Sequence, residues 1–552
     1  MKPIIINIPG SKSQTNRAIV MASLADGRST IVNYSPSNDS RLMIEAMEKL
    51  GVRIIVGKNR LIVYGNGGVF KKTNADINVG NAGTVTRFLT AIKAIVPGEI
   101  VLIKSDRMKE RPIKELEEAL KTINDGKTTI RGDISSQFIS ALMMIAPTLR
   151  NGLEINIVGG TVSSSYIKMT ADLMKEFGVE AKFLTNKIII KKQKYRAINY
   201  YVEPDASGAS YFFAIAAITK KSIRVNVSPK TNQADVKFVD ILAKMGCRVE
   251  KNFQKGWIEV EGRKKLNGIN VDMTLMPDTA QTLAVVVAFA DGESKITGLK
   301  TLKIKETDRL VALKNELKKI GIESEIGEDW IVVKGSRAKG AIIDTYDDHR
   351  MAMAFAVAKA KIPQIIVKNP SVVEKSFPDF WEKFSVVCPQ NIILIGFMGS
   401  GKTTVAKILA KRLKMTEYEM DDMVVRLSKR RSVKEIFEKD GETRFRELEI
   451  RAAKKLRKKT NAVISTGGGV VINKIIIDYL KENGKVVLLD TSFDEILKRL
   501  ASDTDRPLFK DKIAAKKLYD FRRQLYFEYA DLIVKTDGRS LDDIVYKIIR
   551  QK

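Results

Sequence analysis

Between residues 391 and 404 the chain reads NIILIGFMGSGKTT. Gly396, Met398, Gly399, Ser400, Gly401, Lys402, Thr403 and Thr404 make up the pattern G-x-x-x-x-G-K-[ST] and its immediate follower, behind an apolar strand and ahead of the helical stretch TTVAKILAKRL. Its glycines let backbone N–H groups turn inward around phosphates, Lys402 reaches the terminal ones, and the Thr403 hydroxyl can ligate Mg²⁺. In this setting the motif predicts a nucleoside-triphosphate enzyme. The ~160 residues from 391 onward leave room for little more than a small kinase. EYEMDD at 417–422 offers carboxylates after the second predicted strand, and GETRFRELE at 441–449 sets two arginines near a helix start, suited to a carboxylate. STGGGVV at 465–471 lets backbone approach a small polar ligand closely. Glu419 and Asp422 also read as plain helix N-terminal acids.

Upstream, basic and hydroxyl residues recur where strands turn into helices. PGSKSQTNR at 9–17 places Lys12, Ser13 and Arg17 there, a combination suited to a phosphate or a carboxylate. NAGTVTR at 81–87 is a second such turn, with Gly83 and Arg87, and Arg87 also reads as a structural helix residue. RMKERPI at 107–113 adds a basic loop with Arg111, and ISSQF at 134–138 adds Ser135, Ser136 and Gln137. KETDR at 305–309 and DDHRMAM at 347–353 mix acids and bases near helix starts, the latter holding His349, the chain's one histidine.

The elements that must position these residues repeat. Four segments share an amphipathic helix, a glycine, a strand, a turn and a second strand, with Gly51, Gly178, Gly246 and Gly321 where a helix end takes a left-handed residue. The last three glycines are evenly spaced, whereas an interval nearly twice as long separates Gly51 from Gly178. A fifth unit is therefore expected in that interval, and ELEEALKTINDGKTTIRG at 115–132 fits, its hairpin reduced to little more than NDGK. DDHRMAMAFAVAKAKIPQIIV reads as a sixth, terminal unit. Such repetition implies duplicated α/β architecture. After SVVCPQ at 385–390 the pattern becomes alternating strands and longer helices, as in a parallel-sheet nucleotide-binding domain.

The C-terminal motifs, together with DRPLF at 505–509 and RRQLYFEYA at 522–530, resemble shikimate kinase over essentially all of 391–552. That resemblance implies that Asp421 contacts the shikimate hydroxyls and acts as base. It further implies that Arg446 and Arg522 hold the carboxylate, that Gly467, Gly468 and Gly469 line the ring site, and that Arg506 faces the transferring phosphate beside ATP and Mg²⁺. The family usually carries Asp-x-Asp where this chain has Glu419, which could still hold a metal-bound water. The first 384 residues resemble EPSP synthase, whose fold is a two-domain inverse α/β barrel of βαβαββ units. One half would comprise 1–11 with 206–384 and the other 12–205, followed by a linker at 385–390. Transfer of the enolpyruvyl group of phosphoenolpyruvate to the 5-hydroxyl of shikimate-3-phosphate is implied, with no cofactor. Lys12, Gly83, Arg111, Gln137, Arg309, Arg350 and Lys375 would surround phosphoenolpyruvate. Lys12, Ser13, Arg17, Ser135, Ser136, Gln137, Ser163, Asp278 and Lys305 would hold shikimate-3-phosphate, with Tyr166 three residues beyond Ser163. Asp278 would accept the hydroxyl proton, Glu306 or Lys375 would exchange a proton at the methylene carbon, and His349 would lie near the phosphate. Thr301 stands where many members have an asparagine or acid. The kinase product is thus the substrate expected of the preceding region.

The net charge of +30 suits small polyanionic substrates. Nucleic-acid readers add aromatic platforms or a recognisable module, and neither is present. Apolar runs such as LAVVVAFA at 283–290 fall short of the ~18 residues that cross a bilayer. Cys247 and Cys388 lack metal or redox spacing, as in a cytoplasmic protein. A UDP-sugar acceptor is disfavoured because RMKERPI lacks a cysteine, and a gluconate-type kinase because FRELE accompanies GGG. The alternative is an active kinase fused to an inactive or regulatory partner, given the shortened unit.

Overall fold

A computed structural model describes residues 2–71, 73–263, 265–389, 391–500 and 511–550. Its backbone divides into two compact units, Met1–Phe384 and Ser385–Lys552. No helix among the described residues is long and apolar enough to cross a membrane.

The repeat read from the glycines is the organising feature of the first unit. Gly51, Gly178, Gly246 and Gly321 each end a helix at φ between 82° and 106°, a conformation that a side chain would strain. The antiparallel hairpins that follow complete four four-stranded sheets. In the sheet formed by Asn199–Tyr201, Asp26–Val32, Arg60–Asn66 and Arg53–Val56, the first pair is parallel and the rest antiparallel, the pattern of a βαβαββ unit folded on itself. Three other sheets repeat this plan: one from Lys127–Arg131 to Ile190, one from Ser222–Val225 to Glu261, and one from Asn270–Asp272 to Lys334. Ile4–Ile6 pairs with Ser222–Val225, while Asn199–Tyr201 returns to Asp26–Val32, so two of the sheets are completed by strands distant in sequence.

Among the described residues, two of the repeat units have only two strands. Ala75–Gly80 pairs with Ile100–Lys104, and after the helix Lys114–Leu120 a short turn at Ile123–Asp125 and Gly126 leads straight into the next sheet. This is the hairpin missing from the NDGK stretch. The terminal unit pairs Ile342–Ile343 with Ile366–Val367.

Six helices of this unit are buried nearly all round: Lys12–Leu24, Gly83–Lys93, Ser136–Ile145, Ala206–Thr219, Ala280–Val287 and His349–Lys361. Their sequences, such as SQFISALMMI and AQTLAVVV, are small or apolar on every face, which suits a helix with no solvent side. These helices are buried while the strands of the sheets alternate buried and exposed residues, so the helices form the inner layer.

In the second unit Asn391–Ile395, buried throughout, is the central strand of a parallel sheet. The strand order is Thr416–Glu419, Ala462–Ser465, Asn391–Ile395, Gly484–Asp490 and Leu532–Lys535. Apolar clusters cover both faces, as a parallel sheet requires. The helix Val433–Leu456 is broken at Gly441 (φ 79°), which creates the helix start expected ahead of Arg444 and Arg446. The expected linker is partly helical, because Phe380–Val387 continues through residue 387.

Candidate active sites

In the first unit one cavity is lined by the opening residues of six helices. Lys12 and Ser13, Gly83 and Thr84, and Ser136 and Gln137 lie in the first turns of three of them, and Ser135 caps the third. Ser163 with Tyr166, Arg309, and His349 with Arg350 come from the others. Converging helix N-termini favour anions. Arg17, Arg111, Ser135, Asp278, Lys305 and Glu306 complete the wall, so residues separated by more than 300 positions face one space.

Each cation is held in place by named partners. Arg17 is almost wholly buried, its Nε donating to Thr170 Oγ1 (2.7 Å) and its head lying over Phe88, and burial lowers its pKa to about 10. Arg87 donates to Gln137 Oε1 (2.8 Å) and Pro112 O (3.0 Å); burial and then Arg111 bring it down to about 9. Gly83 sits between these two arginines. A Cβ there would lie 2.5 Å from Arg111 Nη2 and 2.7 Å from Arg87 Nη1, so only glycine leaves both heads in place. Lys12 Nζ meets Asp39 Oδ2 at 2.9 Å. Lys375 Nζ reaches Glu306 Oε1 (2.7 Å) and Asn81 O (2.8 Å).

The carboxylates are outnumbered. Asp278 accepts from Arg350 Nη2 (2.8 Å) and Tyr166 OH (3.1 Å), with Arg309 and Lys305 at 3.5 and 3.7 Å. Burial pushes this carboxyl up, but Arg350, Lys305, Arg309 and Lys12 outweigh it and hold it well below its ordinary range. Glu306 is likewise raised by burial and driven down further by Lys375, Arg111 and Arg309. His349 is pushed well below its ordinary value by burial and is neutral at neutral pH. Both its ring nitrogens, and Thr301 Oγ1, are buried without a hydrogen-bond partner among the described residues, so their polar capacity is open to a ligand.

In the second unit the loop 396–401 leads into the helix Lys402–Leu413. Lys402 Nζ donates to Gly396 O (2.8 Å) and Phe397 O (2.9 Å), curled back on the loop whose phosphate it would meet. Thr403 Oγ1 donates to Glu419 Oε2 at 2.9 Å, which puts two hard oxygen donors side by side; this fits Mg²⁺, a cation that keeps most of its water. The glycine run is where the remaining residues meet. A Cβ on Gly467 would fall 2.9 Å from Asp421 Oδ1, one on Gly469 would fall 2.6 Å from Arg446 Nη1, and Arg522 Nη1 donates to Gly468 O at 3.4 Å. Burial raises the Asp421 carboxyl, opposed by Lys402, and Oδ1 has no partner among the described residues. Arg506 lies outside the described residues.

Sequence reasoning missed Asp39, Asp348 and Glu449. Asp348 is fully buried, caps the helix bearing His349 and accepts from Arg309 Nε at 2.7 Å. Glu449 is buried against Arg446 at 2.7 Å. Asp348 and Glu449 sit in acid-rich stretches and Asp39 in the first turn of a helix, so no local signal singles any of them out.

The chain matches the family model for EPSP synthase (3-phosphoshikimate 1-carboxyvinyltransferase) over residues 4–125 and 122–384, two segments that meet at the shortened unit. Residues 398–552 match the model for shikimate kinase. The 3-phosphoshikimate 1-carboxyvinyltransferase of Paraburkholderia phytofirmans is 38% identical over 420 residues, covering 69% of this chain and 96% of that protein. The protein of that name from Sulfurovum sp. is 40% identical over 407 residues, covering 68% and 95%. An EPSP synthase structure from Acinetobacter baumannii superposes with a TM-score of 0.59 at 23% identity, over 69% of this chain and 94% of that one, a likeness of fold.

Proposed function

The chain belongs to the EPSP synthase family and carries a shikimate kinase domain on the same polypeptide, and from that premise we propose which residues perform its two successive reactions. It is a bifunctional shikimate-pathway enzyme, a shikimate kinase and a 3-phosphoshikimate 1-carboxyvinyltransferase. The kinase makes shikimate-3-phosphate from shikimate and ATP, and the transferase converts that product with phosphoenolpyruvate into EPSP and phosphate. Residues 391–552 perform the first step. Residues 1–384 perform the second, with 1–11 and 206–384 as one half and 12–205 as the other.

The observation that carries the reading is the single cavity in which cations from both halves surround few carboxylates. Two polyanions bound side by side need such a surplus. Lys12, Gly83, Arg111, Gln137, Arg309, Arg350 and Lys375 receive phosphoenolpyruvate. Ser13, Arg17, Ser135, Ser136, Ser163 and Lys305 receive shikimate-3-phosphate. The 5-hydroxyl oxygen bonds to C2 of phosphoenolpyruvate while its proton passes to Asp278, and C3 takes a proton from the Glu306–Lys375 pair. Loss of a proton from C3 then expels phosphate beside Lys12, Arg350 and neutral His349. The substrates' own charges screen the cations around Asp278 and strengthen it as a base at the moment it is needed.

In the kinase, Arg446 and Arg522 hold the shikimate carboxylate and Gly467–Gly469 flank the ring. Asp421, raised by burial, takes the proton of the hydroxyl being phosphorylated. Lys402 stabilises the transferring phosphate, with Arg506 proposed opposite. Thr403, and Glu419 through water, would hold Mg²⁺, which when bound neutralises charge on the ATP phosphates. The use of only two cysteines, without metal or redox spacing, suits a cytoplasmic location.

The test supplies the purified chain with shikimate, Mg-ATP and phosphoenolpyruvate, and follows ADP and phosphate separately. ADP that needs shikimate, with phosphate that needs all three, is expected. ADP without phosphate would leave the kinase alone active and indict the first unit.

A further inference from the structure

Tyr346 and Asp347 stand at φ 54° and 51°, two consecutive non-glycine residues in the left-handed region. Such a pair is strained and persists only where its surroundings over-determine it. It lies immediately before Asp348, His349 and Arg350, the last two of which line the transferase cavity. Asn369 Nδ2 donates to Asp347 Oδ1 at 3.0 Å on the exposed side, and the buried restraint comes from the helix Arg309–Lys319. At its first residue, Arg309 donates to both Asp348 oxygens, at 2.7 and 3.2 Å. Seven residues on, hence on the same face, Glu316 is completely buried. Its Oε1 accepts from Tyr346 OH at 2.7 Å, and its Oε2 accepts from the backbone N–H of Asp344 at 3.0 Å. Lys319 Nζ closes the far side on Glu316 Oε1 (2.8 Å) and Asp344 Oδ2 (2.6 Å). One rigid helix therefore grips the strained turn before and after its left-handed pair.

We propose that Glu316, which does not line the cavity, is a positioning residue for enolpyruvyl transfer: with Arg309 it clamps the 344–348 turn so that His349 and Arg350 face phosphoenolpyruvate. Without the Glu316 end, the two residues relax toward ordinary backbone and the start of the following helix turns with them. Arg350 then loses its register on Asp278, whose backbone and carboxylate oxygens it holds at 2.8 Å each. The proposal rests on the assignment of Arg350 to phosphoenolpyruvate.

The experiment uses the full chain and measures phosphate release from supplied shikimate-3-phosphate and phosphoenolpyruvate. Glu316→Leu is expected to raise KM for phosphoenolpyruvate roughly tenfold, with shikimate-3-phosphate affinity by titration held within about twofold and ADP production by the kinase unchanged. Glu316→Gln keeps an acceptor for the Asp344 N–H and should recover most of the loss. Tyr346→Phe, at a partly exposed position that tolerates the change, removes one gripping contact and should raise the same KM about threefold. An unchanged phosphoenolpyruvate KM in Glu316→Leu and Tyr346→Phe, or an equal loss of both substrates, overturns the clamp. Should Glu316→Leu fail to fold, Tyr346→Phe decides. Arg350→Gln is measured beside them: no effect there sinks the site assignment, whereas an effect there and none at Glu316 sinks the clamp alone.

Discussion

Asp278→Asn separates the two things this carboxylate does. The substitution preserves shape and removes a negative charge and a proton acceptor from a group held by Arg350 at 2.8 Å and Tyr166 at 3.1 Å, with Arg309 and Lys305 within 3.7 Å. A positioned general base supplies roughly 10²–10⁴ in rate, or about 3–5 kcal/mol of barrier. The surrounding cations are untouched and lose their counter-charge, so the pull on both anionic substrates persists. Turnover of the enolpyruvyl step should therefore fall by about 10²–10⁴ while KM for each substrate stays within roughly threefold. Removing one member of a buried charge cluster also costs a few kcal/mol of stability. The thermal midpoint of the first unit should accordingly drop and be restored by shikimate-3-phosphate, whose anionic groups replace the lost charge. The assay is phosphate release at saturating substrates, with ADP release on the same preparation as the control. Turnover within tenfold of the parent would remove Asp278 from proton transfer. A raised KM with unchanged turnover would leave it only the task of holding Arg350.

Lys402→Ala should cut ADP formation by at least about a hundredfold, because it removes the ammonium now resting on Gly396 O and Phe397 O. Phosphate release from supplied shikimate-3-phosphate should be unaltered; loss of both activities would mean that the units do not act independently. The buried Asp235 carboxyl gives a pH signature. Burial and then Asp278 push it up to about 7, against the pull of Arg350. A carboxyl with a higher pKa folded than unfolded binds more protons in the folded state, so its cost to stability grows from about pH 4 to about pH 7 and is full above that. Asp235→Asn should be more stable than the parent at pH 8 by up to a few kcal/mol, seen as a higher thermal midpoint, with the gap narrowing toward pH 5. Equal midpoints at pH 8 would show that Asp235 carries no such cost.

What the sequence made legible is local or periodic. Four glycines mark four helix ends because only a left-handed residue lets the hairpin turn back, and the unit lacking its hairpin betrayed itself by spacing alone. Lys12, Gly83, Gln137 and Arg350 could be singled out because polar or glycine residues at the openings of helices with largely buried faces have no packing reason to be there, and Arg309 because acids and bases mix at a helix start in KETDR. The nucleotide loop is legible because its chemistry needs consecutive backbone groups.

The carboxylates that hold those cations in register follow no such rule. Asp39 looks like any first-turn acid, Asp348 is indistinguishable from its neighbour Asp347, and Glu316 in NELKKIG reads as solvated helix surface. Yet Asp39, Asp348 and Glu316 are all buried, because segments far away in sequence close over them. A ligand-facing cation is recognisable from where it stands on its own element. Its counter-ion is defined by a second element, and the sequence states that pairing only through the fold. Substitutions at ligand-facing cations are therefore expected to act on substrate binding directly, whereas substitutions at Asp39, Asp348 or Glu316 act through the orientation of a neighbour. Charge-conserving replacement thus gives the sharper reading: Asp348→Glu keeps the charge but moves it by a methylene out of reach of the two Arg309 hydrogen bonds and the Arg350 N–H.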